Sequence, residues 1–155
     1  MGHNQIASLP VFEGRLKKLN SISFYKNEFT DFPISLFQIT KLKSLDLGGN
    51  KMTTIPDLSG RFPHLSELSL SNNNLTDLPN SLSGISNLAS LDVRHNQIAM
   101  IPAFVSKFKK IFRIDLKNDD WYYNCVNLYG NPIPSESTLD INDRIVMVRT
   151  VMETK

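Results

Sequence analysis

Apolar residues in this chain come in short alternating bursts that recur at a fixed distance. The stretch Leu65 to Asn87 reads LSELSLSNNNLTDLPNSLSGISN. Leu68 and Leu70 are two apart, so an extended backbone turns both side chains to one face, and a short strand is predicted there. Asn73 follows where the chain leaves the strand, and its amide can satisfy backbone groups that no ladder reaches. Leu75, Leu78-Pro79, Leu82 and Ile85 then mark an irregular return arc, which suits a proline that fixes φ and donates no hydrogen bond. The same order returns every 23 residues. Prolines stand at Pro10, Pro33, Pro56, Pro79 and Pro102. Asparagines stand at Asn4, Asn27, Asn50, Asn73 and Asn96, with Asp119 next in that frame. The unit-opening positions are Leu19, Leu42, Leu65, Leu88 and Ile111, and Ile6, Phe29, Met52, Leu75, Ile98 and Trp121 occupy the position two after the Asn.

One unit cannot bury its own apolar side, so the units are expected to stack. A partial unit covers residues 1–18, full units cover 19–41, 42–64, 65–87 and 88–110, and an atypical last unit covers 111–133. Strands centred on Ile22-Phe24, Leu45-Leu47, Leu68-Leu70 and Leu91-Val93 should pair as a parallel sheet. Ile39, Phe62, Ile85 and Phe108 should fill the opposite side. Ile114 and Leu116 predict the next strand. Val126 to Ile133 then predicts a final one, reached through a contracted loop from Lys117 to Cys125 that carries Trp121, Tyr122 and Tyr123. Beyond Pro134, Ser137 as a cap and Ile141, Ile145, Val148 and Met152 at three- and four-residue spacing predict a helix over 134–155 that covers the last unit.

Leu65, Leu68, Leu70, Asn73 and Leu75 reproduce the L-x-x-L-x-L-x-x-N-x-L signature, and the chain resembles the leucine-rich repeat family over roughly residues 4 to 133. That resemblance implies an α/β fold. It would be a right-handed curved solenoid with a parallel sheet on the concave face and a helical C-terminal cap. It also implies a binding module for another protein that works without enzymatic activity or a cofactor. The segment Cys125 to Leu139, CVNLYGNPIPSESTL, looks like the closing turn of repeat domains in bacterial effectors delivered into host cells. This second resemblance implies an effector. Its alternative is the substrate-recognition fragment of a larger enzyme such as an effector ubiquitin ligase.

Charge and cysteine usage narrow the setting. The formal net charge is +2 at pH 7, too balanced to predict a nucleic-acid or membrane surface. Cys125 is the only cysteine, so no internal disulfide forms and a reducing compartment fits. Met1 to Pro10 lacks the basic start and apolar run of a signal peptide. A cytoplasmic location is expected, or entry into a host cell by a route that needs no signal peptide. The chain opens in mid-unit, which fits either a cloning remnant or a trimmed N-terminus. A monomer is expected, with pairing through the solenoid ends as the alternative.

Function should sit on the outward residues that flank the buried leucines, because successive strands align them into an extended patch. The candidates for partner binding are Tyr25, Lys26, Asp46, Glu67, Ser69, Asn72, Asp92, Arg94, His95, Arg113, Asp115 and Lys117. In the 23-residue frame Asp92 neighbours Asp115 and Arg94 neighbours Lys117, one strand spacing of about 4.8 Å apart. Such stripes suit a polypeptide of complementary charge, with Tyr25 and Tyr129 as anchors at the two ends. Other chemistry is poorly provided for. His3, His64 and His95 do not share a metal-binding spacing, and Asp92 with His95 lacks a third ligand. Cys125 has no identifiable His base. Gly48-Gly49 precedes no phosphate-binding lysine, and the Asn74-Leu75-Thr76 sequon is a short motif in a chain otherwise suited to the cell interior.

Overall fold

The recurring leucines and asparagines set the architecture: three extended residues per unit are too few to stand alone, but they pair edge to edge when units stack. The computed structural model of the protein describes residues 3–111, 113–116, 124–134, 139–141 and 144–146. Strands β1 (Ser21–Ser23), β2 (Ser44–Asp46), β3 (Glu67–Ser69), β4 (Ser90–Asp92), β5 (Arg113–Asp115) and β6 (Cys125–Asn127) form one open parallel sheet. Ile22, Leu45, Leu68 and Leu91 stand opposite one another across the first four strands, a register offset of 23 residues at each pairing. Leu45, Leu68, Leu91 and their partners Phe24, Leu47, Leu70 and Val93 are buried. Ile39, Phe62, Ile85 and Phe108 are buried on the far side, as the pattern predicts.

The return arcs follow the prolines. Short 3-10 turns at Ile34–Gln38, Asn80–Gly84 and Ala103–Lys107 begin directly after Pro33, Pro79 and Pro102. Each buries the apolar residue three after its proline, namely Leu36, Leu82 or Val105. In the unit 42–64 that column holds exposed Ser59, and the buried side chain is Leu58, one residue earlier. No 3-10 turn forms there. Instead Asp57 Oδ1 accepts the Ser59 N–H at 2.8 Å and Gly60 takes a left-handed φ of +67°.

The asparagines form a hydrogen-bonded spine. Asn73 Oδ1 accepts the Met52 N–H at 3.0 Å, while its Nδ2 donates to the Leu47 carbonyl at 3.1 Å and the Leu70 carbonyl at 3.0 Å. Asn50 repeats this toward Phe29, Phe24 and Leu47, and Asn96 toward Leu75, Leu70 and Val93. The amide thus joins its own strand exit to that of the preceding unit. The residue before each spine asparagine turns left-handed: φ is +53° at Lys26, +67° at Gly49, +53° at Asn72, +51° at His95 and +70° at Gly130. Glycine is favoured at Gly130, since a Cβ there would collide with the His95 ring.

The C-terminal end departs from the sequence expectation twice. The sheet order is β1-β2-β3-β4-β6-β5, so β6, not β5, lies beside β4. Leu91 pairs with Val126, an offset of 35 residues, and β5 is carried to the outer side of β6. The cause is visible in the spine. Asn131 Oδ1 accepts the Ile98 N–H at 3.0 Å, and its Nδ2 donates to Val93 at 2.8 Å and Leu128 at 2.9 Å. An aspartate at the in-frame position, Asp119, has no N–H to donate to those carbonyls. Asn131→Ala should therefore lower stability by about 3 kcal/mol, read as a shift in denaturant midpoint. A shift below a third of that would show that the spine does not close at Asn131.

The second departure concerns the capping helix expected over 134–155. Within that span Leu139–Ile141 (β7) and Arg144–Val146 (β8) pair antiparallel, with Ile141 opposite Arg144. The sequence favours this over a helix locally: Ile141, Ile145 and Val146 are β-branched, and Asn142-Asp143 between the segments are turn-forming types. The proposed cap at Ser137 and the positions Val148 and Met152 lie outside the described residues, as do Trp121, Tyr122 and Tyr123.

Candidate functional site on the concave sheet face

Outward side chains of the first four strands and their exits enclose a concavity of about 620 Å³. Of the residues singled out from sequence, Tyr25, Asp46, Glu67, Ser69, Asn72, Asp92, Arg94 and His95 line it. Strand alternation explains why they share a surface, since their inward neighbours Leu45, Leu68 and Leu91 are in the core. Ser44, Leu45 and Ser71 also line it. Ser44 and Ser71 belong to the same outward columns, and their position in the frame was the available signal.

The other four candidates are placed differently. Lys26 is exposed at the rim with its Nζ 5.3 Å from the Tyr25 ring centroid, a cation–π contact. Asp115 is buried on β5 opposite Asn127. The expected side-by-side placement of Asp92 and Asp115 does not occur, because β6 intervenes and Asn127 is the neighbour of Asp92. Arg113 contributes backbone to β5, and Lys117 lies outside the described residues.

Strands β1, β2, β4 and β6 end in the same small device. Tyr25 N–H donates to Ser23 Oγ at 3.2 Å, Gly48 N–H to Asp46 Oδ1 at 2.9 Å, Arg94 N–H to Asp92 Oδ1 at 3.1 Å, and Tyr129 N–H to Asn127 Oδ1 at 3.0 Å. A short polar side chain thus satisfies the amide two residues on, where the ladder stops. The second outward column is therefore partly scaffold. Asp46 Oδ2 also accepts the Ser23 hydroxyl at 2.7 Å.

The charges on this face are not equivalent. Arg94 Nε and Nη2 each donate to one oxygen of Asp92 at 2.8 Å, and the pair is nearly closed to solvent, with side-chain exposures of 14% and 2%. Its charge is compensated by the last residue of the strand it follows. The Glu67 carboxylate, half-buried at the centre of the floor, makes no hydrogen bond or ion pair with another described residue. At the rim His95 meets Tyr129 edge-on at 5.3 Å and His3 meets Tyr25 at 5.6 Å, so similar histidine–tyrosine contacts stand toward opposite ends of the sheet. Among the described residues, no group of three or more His, Cys, Asp and Glu is placed to hold a metal ion. Cys125 is buried. No described helix is long and apolar enough to cross a membrane.

Residues 41–98 match a family model described as leucine rich repeat. No curated protein matches the chain. Matching chains among solved structures number 177, so the fold by itself singles out no partner. One is the structure of a leucine-rich repeat protein from Leptospira interrogans. It is 31% identical to this chain with a TM-score of 0.70, and the match covers 86% of this chain and 31% of that one. The chain thus spans less than a third of that protein's length.

Proposed function

The chain belongs to the leucine-rich repeat family, and from that premise we propose that it is a protein-binding module whose concave face holds a partner polypeptide. The observation that carries this reading is the single concavity built by four successive units, with polar side chains outward over a continuous apolar core. Solenoids of this kind offer an extended surface in which each unit adds a few contacts, which suits a polypeptide better than a small metabolite. No catalytic step is assigned to the site.

The test is occlusion of the floor. Ser69 lies at the middle of the concavity, so Ser69→Trp should fill it and weaken capture of a native partner from a lysate by more than about tenfold. A partner retained at full strength by a folded Ser69→Trp protein would move the binding surface elsewhere. Reversing Arg94 to Glu is a poorer test, because it would break a buried pair and unsettle the fold.

A finer reading is a bacterial effector, or the recognition part of a larger enzyme such as an effector ubiquitin ligase. Its support is the closing segment Cys125 to Leu139 and the bacterial source of the similar structure. Capture of a partner from host lysate and none from bacterial lysate is the outcome this reading requires.

A further inference from the structure

The concavity is acidic in a chain that is not. Its lining carries the carboxylates of Asp46, Glu67 and Asp92 and one guanidinium, Arg94, while the whole chain is formally +2. Asp92 and Arg94 compensate each other. Asp46 is bonded to neutral donors, the Ser23 hydroxyl and the Gly48 N–H. Glu67 meets no donor among the described residues. The register sets Glu67 opposite Ser44 and Asp46 opposite Ser69, so the two uncompensated carboxylates are diagonal neighbours on adjacent strands. Two half-buried like charges at this separation repel, and a cation between them removes that repulsion.

The surroundings suit a long aliphatic cation. Tyr25 walls one end of the concavity. A Cβ on Gly48 would stand 2.9 Å from Ser71 Oγ and 3.2 Å from both Asp46 Oδ1 and Tyr25 Cδ2, so the missing side chain lets these three groups pack closely at the edge of the concavity. A second observation points to an absent ligand. Ser90 Oγ is buried without a hydrogen-bond partner among the described residues, and it projects from the same sheet face directly opposite Glu67. An orphaned hydroxyl costs about 1–3 kcal/mol, a cost that a polar group reaching the floor would relieve.

Resting on the concave face as the binding surface, we propose that the concavity takes a lysine or arginine side chain from a basic polypeptide segment. Its charge lies between Glu67 and Asp46, and its stem lies along Tyr25. The rest of the segment runs over the polar rim of Asn72 and His95. Charge complementarity selects this occupant over a nucleic acid or an acidic peptide, whose anionic groups would meet uncompensated carboxylates.

The test uses two fluorescent peptides of equal length, one alternating Lys and Ser and one alternating Glu and Ser, titrated by anisotropy against the full chain. The Lys peptide should bind and the Glu peptide should not. Glu67→Gln, which keeps shape and removes charge, should weaken the Lys peptide by about tenfold, the scale of one charge-assisted hydrogen bond. Glu28→Gln should leave it unchanged, because Glu28 is exposed and paired with Lys51 at 3.5 Å. No binding of the Lys peptide, or equal binding to Glu67→Gln, overturns the proposal. If the Glu peptide binds instead and Ser69→Trp abolishes that binding, the concave face stands as the binding surface and the basic partner falls. If the Lys peptide binds Ser69→Trp as well as it binds the native chain, both fall.

Discussion

Replacing Asn73 with alanine should remove about 4 kcal/mol of stability, a large share of the roughly 5–15 kcal/mol that holds a typical domain together. The side chain is buried and makes one accepted and two well-formed donated hydrogen bonds to backbone groups of two units. Its loss orphans the Met52 N–H and removes a donor from the Leu47 and Leu70 carbonyls, none of which gains water in exchange. Asn73→Asp is the sharper variant. It keeps an oxygen for Met52 but turns a second oxygen, in place of an N–H donor, toward two carbonyls, so it should be at least as destabilising as alanine. The measurement is a denaturant titration of both variants, monitored by circular dichroism. An aspartate variant with native stability would show that the donated bonds contribute nothing.

The second large effect is expected at the Asp92–Arg94 pair. Removing one member of a buried ion pair leaves the other without its counter-charge, and Asp92→Ala should cost about 3 kcal/mol. The double variant Asp92→Ala/Arg94→Ala should cost less than the sum of the single variants by roughly 1–3 kcal/mol, because each single change strands a partner that the double change removes. Strict additivity would mean that the bidentate contact at 2.8 Å carries no coupling. The distinction matters for function. If the pair is structural, loss of partner binding in an Arg94 variant reports damage to the floor and not a lost contact.

Most of the solenoid was legible in the sequence because its physics is periodic. Leucines two apart specify a strand with one buried face, an Asn at its exit specifies the spine, and Pro33, Pro79 and Pro102 start the outer turns. The failures have chemical causes. Counting by 23 placed Ile114 and Leu116 beside Leu91, but hydrophobic spacing is blind to the difference between an amide and a carboxylate at the spine position. Val126, Leu128, Asn131 and Ile133 satisfy the signature from its second position on, asparagine included, whereas Ile114, Leu116 and Asp119 lack the asparagine. The helical pattern after Pro134 was misleading for a similar reason. Ile141 and Ile145 are four apart, and β-branched residues flanking Asn142-Asp143 fit a hairpin ladder as well as a helix face. At the site, outward columns could be read from alternation, but which charges remain uncompensated could not. The Arg94–Asp92 contact lies within one strand and its exit, and only geometry reveals that it leaves Glu67 apart.

The spine also gives the molecule a built-in gauge of its own integrity. Four of the asparagines each accept from an amide one unit earlier in the chain: Asn50 from Phe29, Asn73 from Met52, Asn96 from Leu75 and Asn131 from Ile98. These four N–H groups are therefore shielded from solvent exchange by a side chain that the following unit must deliver. When a unit opens, the amide that loses its lock belongs to the unit before it. Hydrogen exchange followed at these four positions would read the order in which the stack unzips, one tooth at a time, and would show whether an occupied concave face tightens every tooth or only those beneath it.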